Sequence, residues 1–302
     1  MKLSRLGEDS LLARLLPRLP VGDGVIAGAG DDVAVVHAPG RDHFLLLKTD
    51  CVVEGVHFKT AAPPAAIGWK AMMRPLSDFA AVSGLPQFAL VTLVIGRSKR
   101  SEWVEKIYGG LKRAAARFKV SVVGGETSST RGPTVISVSV SGFVEKSRWV
   151  ARSRGRAGDS LFVTGRLGGA GKNKHLRFVP RIEQARWLTE HFSIHAMMDL
   201  SDGLAADLPR LARASRLSFQ IETDRLPLTA GATIENAISD GEDYELLFAI
   251  SSRAGDHLRD AWKKRFPRIQ LTRIGRLLPL SAINVSPARA NRQLKGGYVH
   301  FQ

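Results

Sequence analysis

The sequence predicts an α/β protein of two domains, and three observations support this fold class. First, 302 residues with 44% hydrophobic content can bury a sizeable core. Second, apolar strand-like runs alternate with helical segments along the whole chain. Third, a stretch punctuated by glycine and charged residues, GRAGDSLFVTG at 155–165, interrupts the pattern midway. We therefore predict an N-terminal domain over residues 1–150 and a C-terminal domain over residues 151–302.

The first half opens with a leucine-rich stretch interrupted by Arg14, which predicts an amphipathic first helix. The elements predicted after it are strands at 43–58 (one long strand or a pair), 87–96, 119–126 and 134–144, and helices at 63–84 and 101–118. Pro75 is expected to break or kink the 63–84 helix just before Asp78. Ser101 is expected to be the N-cap of the other helix.

The second half continues the same alternation of strand and helix patterns. Its predicted elements are strands at 160–165, 195–200, 218–223 and 244–250, and helices at 180–192 and 203–215. No internal repeat or low-complexity tract is visible, so this half is expected to be one α/β domain.

The chain is strongly basic, with a formal net charge of +16 and a pI near 10.5. The densest basic stretches are RSKR at 97–100, SRWVARSRGR at 147–156 and WKKRFPR at 262–268. None of them is interleaved with the aromatic residues of an RNA-binding sheet, and zinc-finger spacing is absent. A solvated basic surface is therefore favoured over a nucleic-acid partner.

The cysteine content and the apolar runs bear on location. A single cysteine, Cys51, excludes an internal disulfide and suits a reducing compartment, so we predict the cytoplasm. The N-terminal stretch lacks the uninterrupted apolar core of a signal peptide. No run approaches the roughly 18 apolar residues that a membrane span needs, and no membrane association is expected.

Acidic residues cluster at the ends of apolar stretches or in the turns that follow them. They are Asp31, Asp32, Asp50, Asp78, Glu126, Asp199 and Asp202. Any one of them alone is explained by a turn or cap, and Asp202 could cap the next helix. Together they raise a charge problem, because two carboxylates 4 Å apart repel by about 1 kcal/mol even in water. Several divalent cations with oxygen ligands, and a phosphate-bearing ligand, would solve it.

Known nucleotide and nucleophile motifs are missing. GRLGGAGKNK at 165–174 fails as a P-loop because Arg166 and Asn173 replace the required glycine and Ser or Thr. GAGDDV lacks the third glycine of a dinucleotide fingerprint, since position 33 is valine. Protein-kinase HRD and DFG motifs and the GxSxG elbow are also absent. We therefore predict no protein nucleophile.

Six motifs resemble one enzyme family. GAGDDVAVV, KTDCVVEGVHF, RPLSDFAAVSGLPQFALVTL, VVGGETSSTRG, MMDLSDGLAADLPRLARAS and GEDYELLF follow the order found in thiamine-monophosphate kinases. This family belongs to the superfamily of aminoimidazole ribonucleotide synthetase. The resemblance spans residue 7 to the closing KGGYVHF. It implies a two-domain fold of that superfamily, with N-terminal strands that pair into a barrel across a homodimer.

The resemblance also implies an activity and site residues. The family uses ATP and several Mg²⁺ ions to phosphorylate thiamine monophosphate to the diphosphate, by direct transfer. The residues that fall on its metal-binding positions are Asp32, Thr49, Asp50, Asp78, Glu126, Asp199 and Asp202. Those on nucleotide-binding positions are Tyr108, Gly125, Glu126, Arg152 and Ser201. Those on thiamine-binding positions are His57, Glu242 and Tyr298.

Several of these positions have a simpler structural explanation. Arg152 could be one more solvated cation, His57 a half-buried strand histidine, and Tyr108 a core aromatic residue. Tyr298 could pin the C-terminal tail instead of stacking on a ring. Glu242 with Asp243 is the more persuasive pair, because a carboxylate can face the cationic thiazolium.

Three departures from the family pattern leave the acceptor open. Glu126 stands where the family usually has aspartate, and Asp240 stands where it usually has glycine. The segment after SLFVTG lacks a helix that relatives have there. One alternative is therefore a divergent superfamily member that uses ATP to activate another small acceptor. A further alternative is a non-catalytic, basic nucleotide-binding or nucleic-acid-binding paralogue.

Overall fold

The computed structural model describes residues 6–38, 40, 42–282, 296 and 297. The elements of the first half are α1 Glu8–Leu15, β1 Val25–Ala27, β2 Ala34–His37, β3 His43–Val53, α2 Pro64–Ala81, β4 Leu85–Gly96, α3 Ser101–Arg117, β5 Ser121–Thr130 and β6 Val135–Glu145. Those of the second half are β7 Ser160–Thr164, α4 Ile182–His191, β8 Ile194–Asp199, α5 Leu204–Ala214, β9 Ser218–Ile221, α6 Ile234–Ser239, β10 Leu246–Ile250, α7 Ser252–Arg265 and β11 Leu271–Leu278. No helix within these described ranges has the length and apolar character to cross a membrane.

The N-terminal sheet has the strand order β1-β2-β3-β6-β4-β5. Its pairings are antiparallel except between β4 and β5. Alternation gives the sheet two faces: Leu46 and Val52 are buried on the face covered by α2, whereas Leu45 and Leu47 are exposed. Helices therefore cover one face of this sheet and leave apolar side chains on the other.

Helix α2 runs unbroken through Pro75 from Pro64 to Ala81, so the predicted break is wrong. A proline removes one backbone donor from a helix interior and crowds the preceding turn. Met72, Leu76 and Phe79, on either side of it, are fully buried. The burial of these side chains outweighs the local cost of the proline, and the helix extends far enough to carry Asp78 into the protein interior.

Helix α3 matches the predicted helix closely, but its N-cap does not. Arg100 is the N-cap residue, with an extended backbone and no side-chain cap bond, and Ser101 is already helical. The prediction that Ser101 caps this helix is therefore wrong. The helix packs on α2 through two glycines, since a Cβ at Gly68 or Gly110 would lie 2.0 Å from a backbone oxygen of the other helix.

The C-terminal sheet is antiparallel, with the order β8-β10-β7-β11-β9. One face contributes Phe162 and Phe248 to a hydrophobic core that also contains residues of α2 and α4. The other face contributes Val163 and Leu247 to a second core closed by α5. Both faces are thus buried, which explains why β7 and β10 are apolar at every position except Ser160 and Thr164.

The two halves are in direct contact through α2 and α4. Arg186 of α4 donates two bonds to the Glu145 carboxylate at 2.5 and 2.7 Å. Trp69 of α2 donates its indole N–H to the Phe178 carbonyl at 2.9 Å. The predicted domain boundary near residue 150 stays a prediction; it falls in the connection between β6 and β7.

Candidate active site

Three buried carboxylates from distant parts of the chain meet between the two halves. Asp32 lies in the bend before β2, Asp78 in the last turn of α2, and Asp199 at the end of β8. Each offers an oxygen within 4.8 Å of the others, and their exposed fractions are 4%, 8% and 3%. Carboxylates rarely gather in this way without a compensating charge.

The electrostatics of this three-carboxylate group follow from burial. Burial, opposed by Lys48, raises the pKa of Asp78 well above its usual value, and the nearby Asp199 adds to the effect. The pKa of Asp199 is raised by burial and by Asp32. Ser77 donates its hydroxyl to Asp199 Oδ2 at 2.6 Å. A bound cation would lower the free-energy cost of keeping these three carboxylates ionised, so the group favours cation binding.

The donor set fits a hard divalent cation. Asp32 Oδ1 accepts from Arg152 Nη2 at 2.6 Å, whereas the buried Asp32 Oδ2 has no hydrogen-bond partner among the residues that the structure describes. An unpaired buried carboxylate oxygen is costly unless a ligand completes it. Oxygen donors of this kind are those that Mg²⁺ prefers, so Asp32, Asp78 and Asp199 are the residues that would hold such an ion.

Asp50 and Glu126 do not belong to the three-carboxylate group. Asp50 lies inside β3, within the strand predicted over 43–58, whereas Glu126, predicted to end a strand, lies inside the exposed edge strand β5. Strand β5 continues past Glu126 because its backbone pairing with β4 extends to Thr130. Glu126 Oε1 accepts from the Thr127 backbone N–H at 3.0 Å.

Thr49 and Asp202 are also placed outside this group. Thr49 is exposed on the face of β3 opposite Asp50, where its hydroxyl accepts from Ser139 at 3.0 Å. Asp202 Oδ2 accepts from Arg210. The N-cap of α5 is Gly203, so the alternative that Asp202 caps this helix is wrong.

The residues predicted to contact the nucleotide lie in two places. Arg152 lies beside the carboxylates: its side chain is only 15% exposed and is paired with Asp32, so it is not a solvated cation. Ser201 follows Asp199 by two residues in the chain. Gly125 lies on β5, where a Cβ would be 1.8 Å from the Val91 carbonyl oxygen. Tyr108 is 41% exposed on α3, which excludes the core-aromatic alternative.

His57 and Glu242, predicted for the thiamine portion, line one cavity of about 950 Å³. His57 is buried, and its Nδ1 accepts from the Val53 backbone N–H at 3.0 Å. Glu242 has a φ of 52°, a conformation that costs energy for a residue with a Cβ and is common at functional sites. Tyr298 lies outside the described residues.

Comparisons with known proteins bear on the identity of this site. The family model described as AIR synthase related protein, N-terminal domain, matches residues 30–144, and the corresponding C-terminal domain model matches residues 169–277. The thiamine-monophosphate kinase of Rhodopirellula baltica is 34% identical, with 97% of each chain covered. That of Aquifex aeolicus is 34% identical, with 100% of each covered. The chain belongs to the thiamine-monophosphate kinase family.

A solved structure agrees with this assignment. The structure of AaThiL complexed with AMPPCP and TMP is 33% identical in sequence and has a TM-score of 0.81, with 99% of each chain covered. The predicted superfamily fold is therefore confirmed. The roles of individual residues in this member of the thiamine-monophosphate kinase family stay predictions.

Sequence reasoning missed the cations of this family member's site. Lys70 is fully buried, and its Nζ donates to the His57 carbonyl at 2.6 Å and to Glu242 Oε1, and pairs with His175 Nδ1 at 2.6 Å. Burial lowers the pKa of Lys70 to about 8, although the Glu242 carboxylate opposes this. Lys70, Arg74 and Asp78 are four residues apart on one face of α2. This spacing is the sequence feature that could have identified Lys70 and Arg74 as site residues.

The loop that carries Glu242 is fixed by its other acidic residues. Glu245 is buried and accepts two bonds from Arg181, both at 2.6 Å. Asp243 accepts the backbone N–H groups of Gly168 and Gly169 at 2.9 and 3.2 Å. Asp243 therefore supports the short segment after β7, and Glu242 is the carboxylate that faces the cavity.

Proposed function

We propose that this chain is an ATP-dependent thiamine-monophosphate kinase that transfers the γ-phosphoryl group to the phosphate of thiamine monophosphate. The observation that carries the proposal is its full-length likeness to AaThiL, a structure that contains AMPPCP and TMP. The names of the relatives from R. baltica and A. aeolicus support the same acceptor. The transfer is direct, with no phosphoenzyme, because no nucleophilic motif is present in the sequence.

Asp32, Asp78 and Asp199 would hold Mg²⁺ in this site. Such an ion, when bound, offsets the negative charge of the phosphate oxygens. Arg152, fixed against Asp32, presents a guanidinium that can form forked bonds to a phosphate. The acceptor phosphate is ionised near pH 7, so no strong general base is required of the protein.

The cavity beside His57 and Glu242 suits the thiamine end of the acceptor. The Glu242 side chain is 26% exposed, and it can face a cationic thiazolium. Lys70 donates to Oε1 of this carboxylate, and His175 Nδ1 lies 3.1 Å from Oε2. Burial and the neighbouring Lys70 lower the pKa of His175, so Lys70 is the cation of this pair, and the remaining lone pairs of Glu242 can accept further hydrogen bonds.

The exposed face of the N-terminal sheet supports a homodimer. Leu45, Leu47, Phe88, Leu90 and Val123 are between 39% and 59% exposed, although they are apolar strand residues. A contiguous apolar surface of this kind marks an interaction site in many proteins. We infer that residues 1–150 form the dimer contact and bind ATP and Mg²⁺ together with Arg152 and Asp199 of the second half. We also infer that the protein acts in the cytoplasm.

The test is Mg²⁺-dependent conversion of thiamine monophosphate and ATP to thiamine diphosphate and ADP by the purified protein. Formation of both products in equal amounts supports the proposal. ADP formation only with another acceptor from a panel of small phosphates and alcohols would favour the divergent-enzyme alternative. Salt-sensitive binding of duplex DNA or RNA with no ATP turnover would favour the binding-protein alternative.

A further inference from the structure

Two cationic side chains are built into the acidic site beside the three-carboxylate group. Lys48 of β3 places its Nζ 2.9 Å from Asp78 Oδ1. Arg74 of α2 donates Nε to Asp50 Oδ2 at 3.2 Å, and its Nη2 lies 3.1 Å from Asp50 Oδ1. Their side chains are only 24% and 14% exposed. Both are therefore part of the interior of the site and not surface charges that happen to lie nearby.

Arg74 engages both oxygens of the Asp50 carboxylate. Its Nη1 also donates to the Cys51 carbonyl at 3.0 Å, and Asp50 Oδ1 accepts the Cys51 backbone N–H at 2.9 Å. A forked guanidinium–carboxylate pair of this kind is strong and directional. Asp50 thus has its charge and its hydrogen bonds satisfied by the protein itself, in contrast to Asp32, whose Oδ2 has no partner within the described part of the chain.

The charges in the site balance in part. Five carboxylates, Asp31, Asp32, Asp50, Asp78 and Asp199, are opposed by three cations, Arg152, Arg74 and Lys48. Without Lys48 and Arg74, only Arg152 would oppose the same five carboxylates, and more than one divalent ion would be needed. With both cations in place, the negative charge that is left matches one such ion.

We propose that Lys48 and Arg74 take the places beside Asp78 and Asp50 that divalent cations would otherwise occupy, so that this enzyme has one protein-bound metal position, at Asp32, Asp78 and Asp199. The inference rests on the proposed function, since it assumes a divalent ion at that group. Its consequence is a lower metal requirement: part of the charge neutralisation comes from side chains that are always present and always positive.

The experiment counts Mn²⁺ ions bound per chain, by electron paramagnetic resonance of free Mn²⁺, with the full-length protein and saturating AMPPCP. We expect Arg74→Ala to bind one more ion than the wild type, and Lys48→Ser to do the same. Arg265→Ala removes an exposed cation that pairs with Glu183, and it should leave the number unchanged. An unchanged count in both site variants would overturn the inference.

A second measurement covers the case in which Arg74→Ala does not fold. Asp50→Asn in the otherwise wild-type chain should leave the count unchanged, because Asp50 is already paired. Loss of one ion from this variant would show that Asp50 is a metal ligand and would refute the inference. Asp78→Asn should remove one ion; if it does not, the metal position in the proposed function is wrong, whatever Arg74→Ala gives.

Discussion

Replacing the buried Lys70 by methionine should change the stability of the fold little at pH 7. The fall of the Lys70 pKa from its usual 10.5 to about 8 means that the protein disfavours the charged form by about 3 kcal/mol. Methionine removes that cost but takes one donor away from the His57 carbonyl and one from Glu242, at about 1–3 kcal/mol each. The opposing effects should leave a net change between a gain of about 1 kcal/mol and a loss of about 3 kcal/mol.

The pH dependence of the stability difference between the wild type and Lys70→Met isolates the contribution of the Lys70 charge. Between pH 8 and pH 10.5 the unfolded chain still carries the Lys70 proton, whereas the folded chain has released it. Stability rises with pH wherever the unfolded state binds more protons. The wild type should therefore gain about 3 kcal/mol relative to Lys70→Met across this window.

The measurement is the free energy of unfolding from urea titrations at several pH values from 7 to 10.5, followed by tryptophan fluorescence. Lys106→Met is the matched control, since Lys106 is exposed on α3, and its difference from the wild type should stay flat. If the difference in unfolding free energy between Lys70→Met and the wild type also does not change with pH, the argument that burial dominates the energetics of this lysine is refuted. A loss of stability well above about 3 kcal/mol at pH 7 would refute it too.

Three further outcomes are expected. Asp78→Asn or Asp199→Asn should lower kcat by about 100-fold or more with the fold intact, measured as ADP release and checked by circular dichroism; near-normal turnover at saturating Mg²⁺ would contradict the assigned role. Phe88→Glu should convert a dimer into a monomer in sedimentation velocity, because a charge would replace an exposed apolar contact; an unchanged mass would place the interface elsewhere. Glu245→Gln should cost about 3–5 kcal/mol by leaving the Arg181 guanidinium without its charge partner, and a urea midpoint equal to that of the wild type would exclude this.

The fold was predictable where the local pattern agrees with the tertiary packing. The amphipathic pattern at 101–118 became α3, Ser101–Arg117, and the alternating run at 134–144 became β6, Val135–Glu145. The predicted break at Pro75 is wrong, because the local rule against an interior proline gave way to burial of Leu76 and Phe79. Only the tertiary structure contains that competing energy.

The carboxylates of the site were predictable and their partners were not. Asp32 and Asp199 stand out in sequence because acidic residues beside apolar runs raise a charge problem. Lys48 raises none, because a single cation in a strand resembles any exposed one, and the only sequence signal for Arg74 is its four-residue spacing from Asp78. Their importance depends on the packing of α2 over β3, which brings residues 24 positions apart into one ion pair.

Hydrogen bonds hold the short connection between β7 and α4 against the loop that carries Glu242. Asp243 holds the backbone of Gly168 and Gly169, and His175 contacts Glu242 directly. Insertions in this connection would therefore displace the cavity wall before they disturbed either hydrophobic core. Natural variation in the length of this connection should therefore change which acceptors the enzyme accepts. The thermal stability of the enzyme should stay almost unchanged.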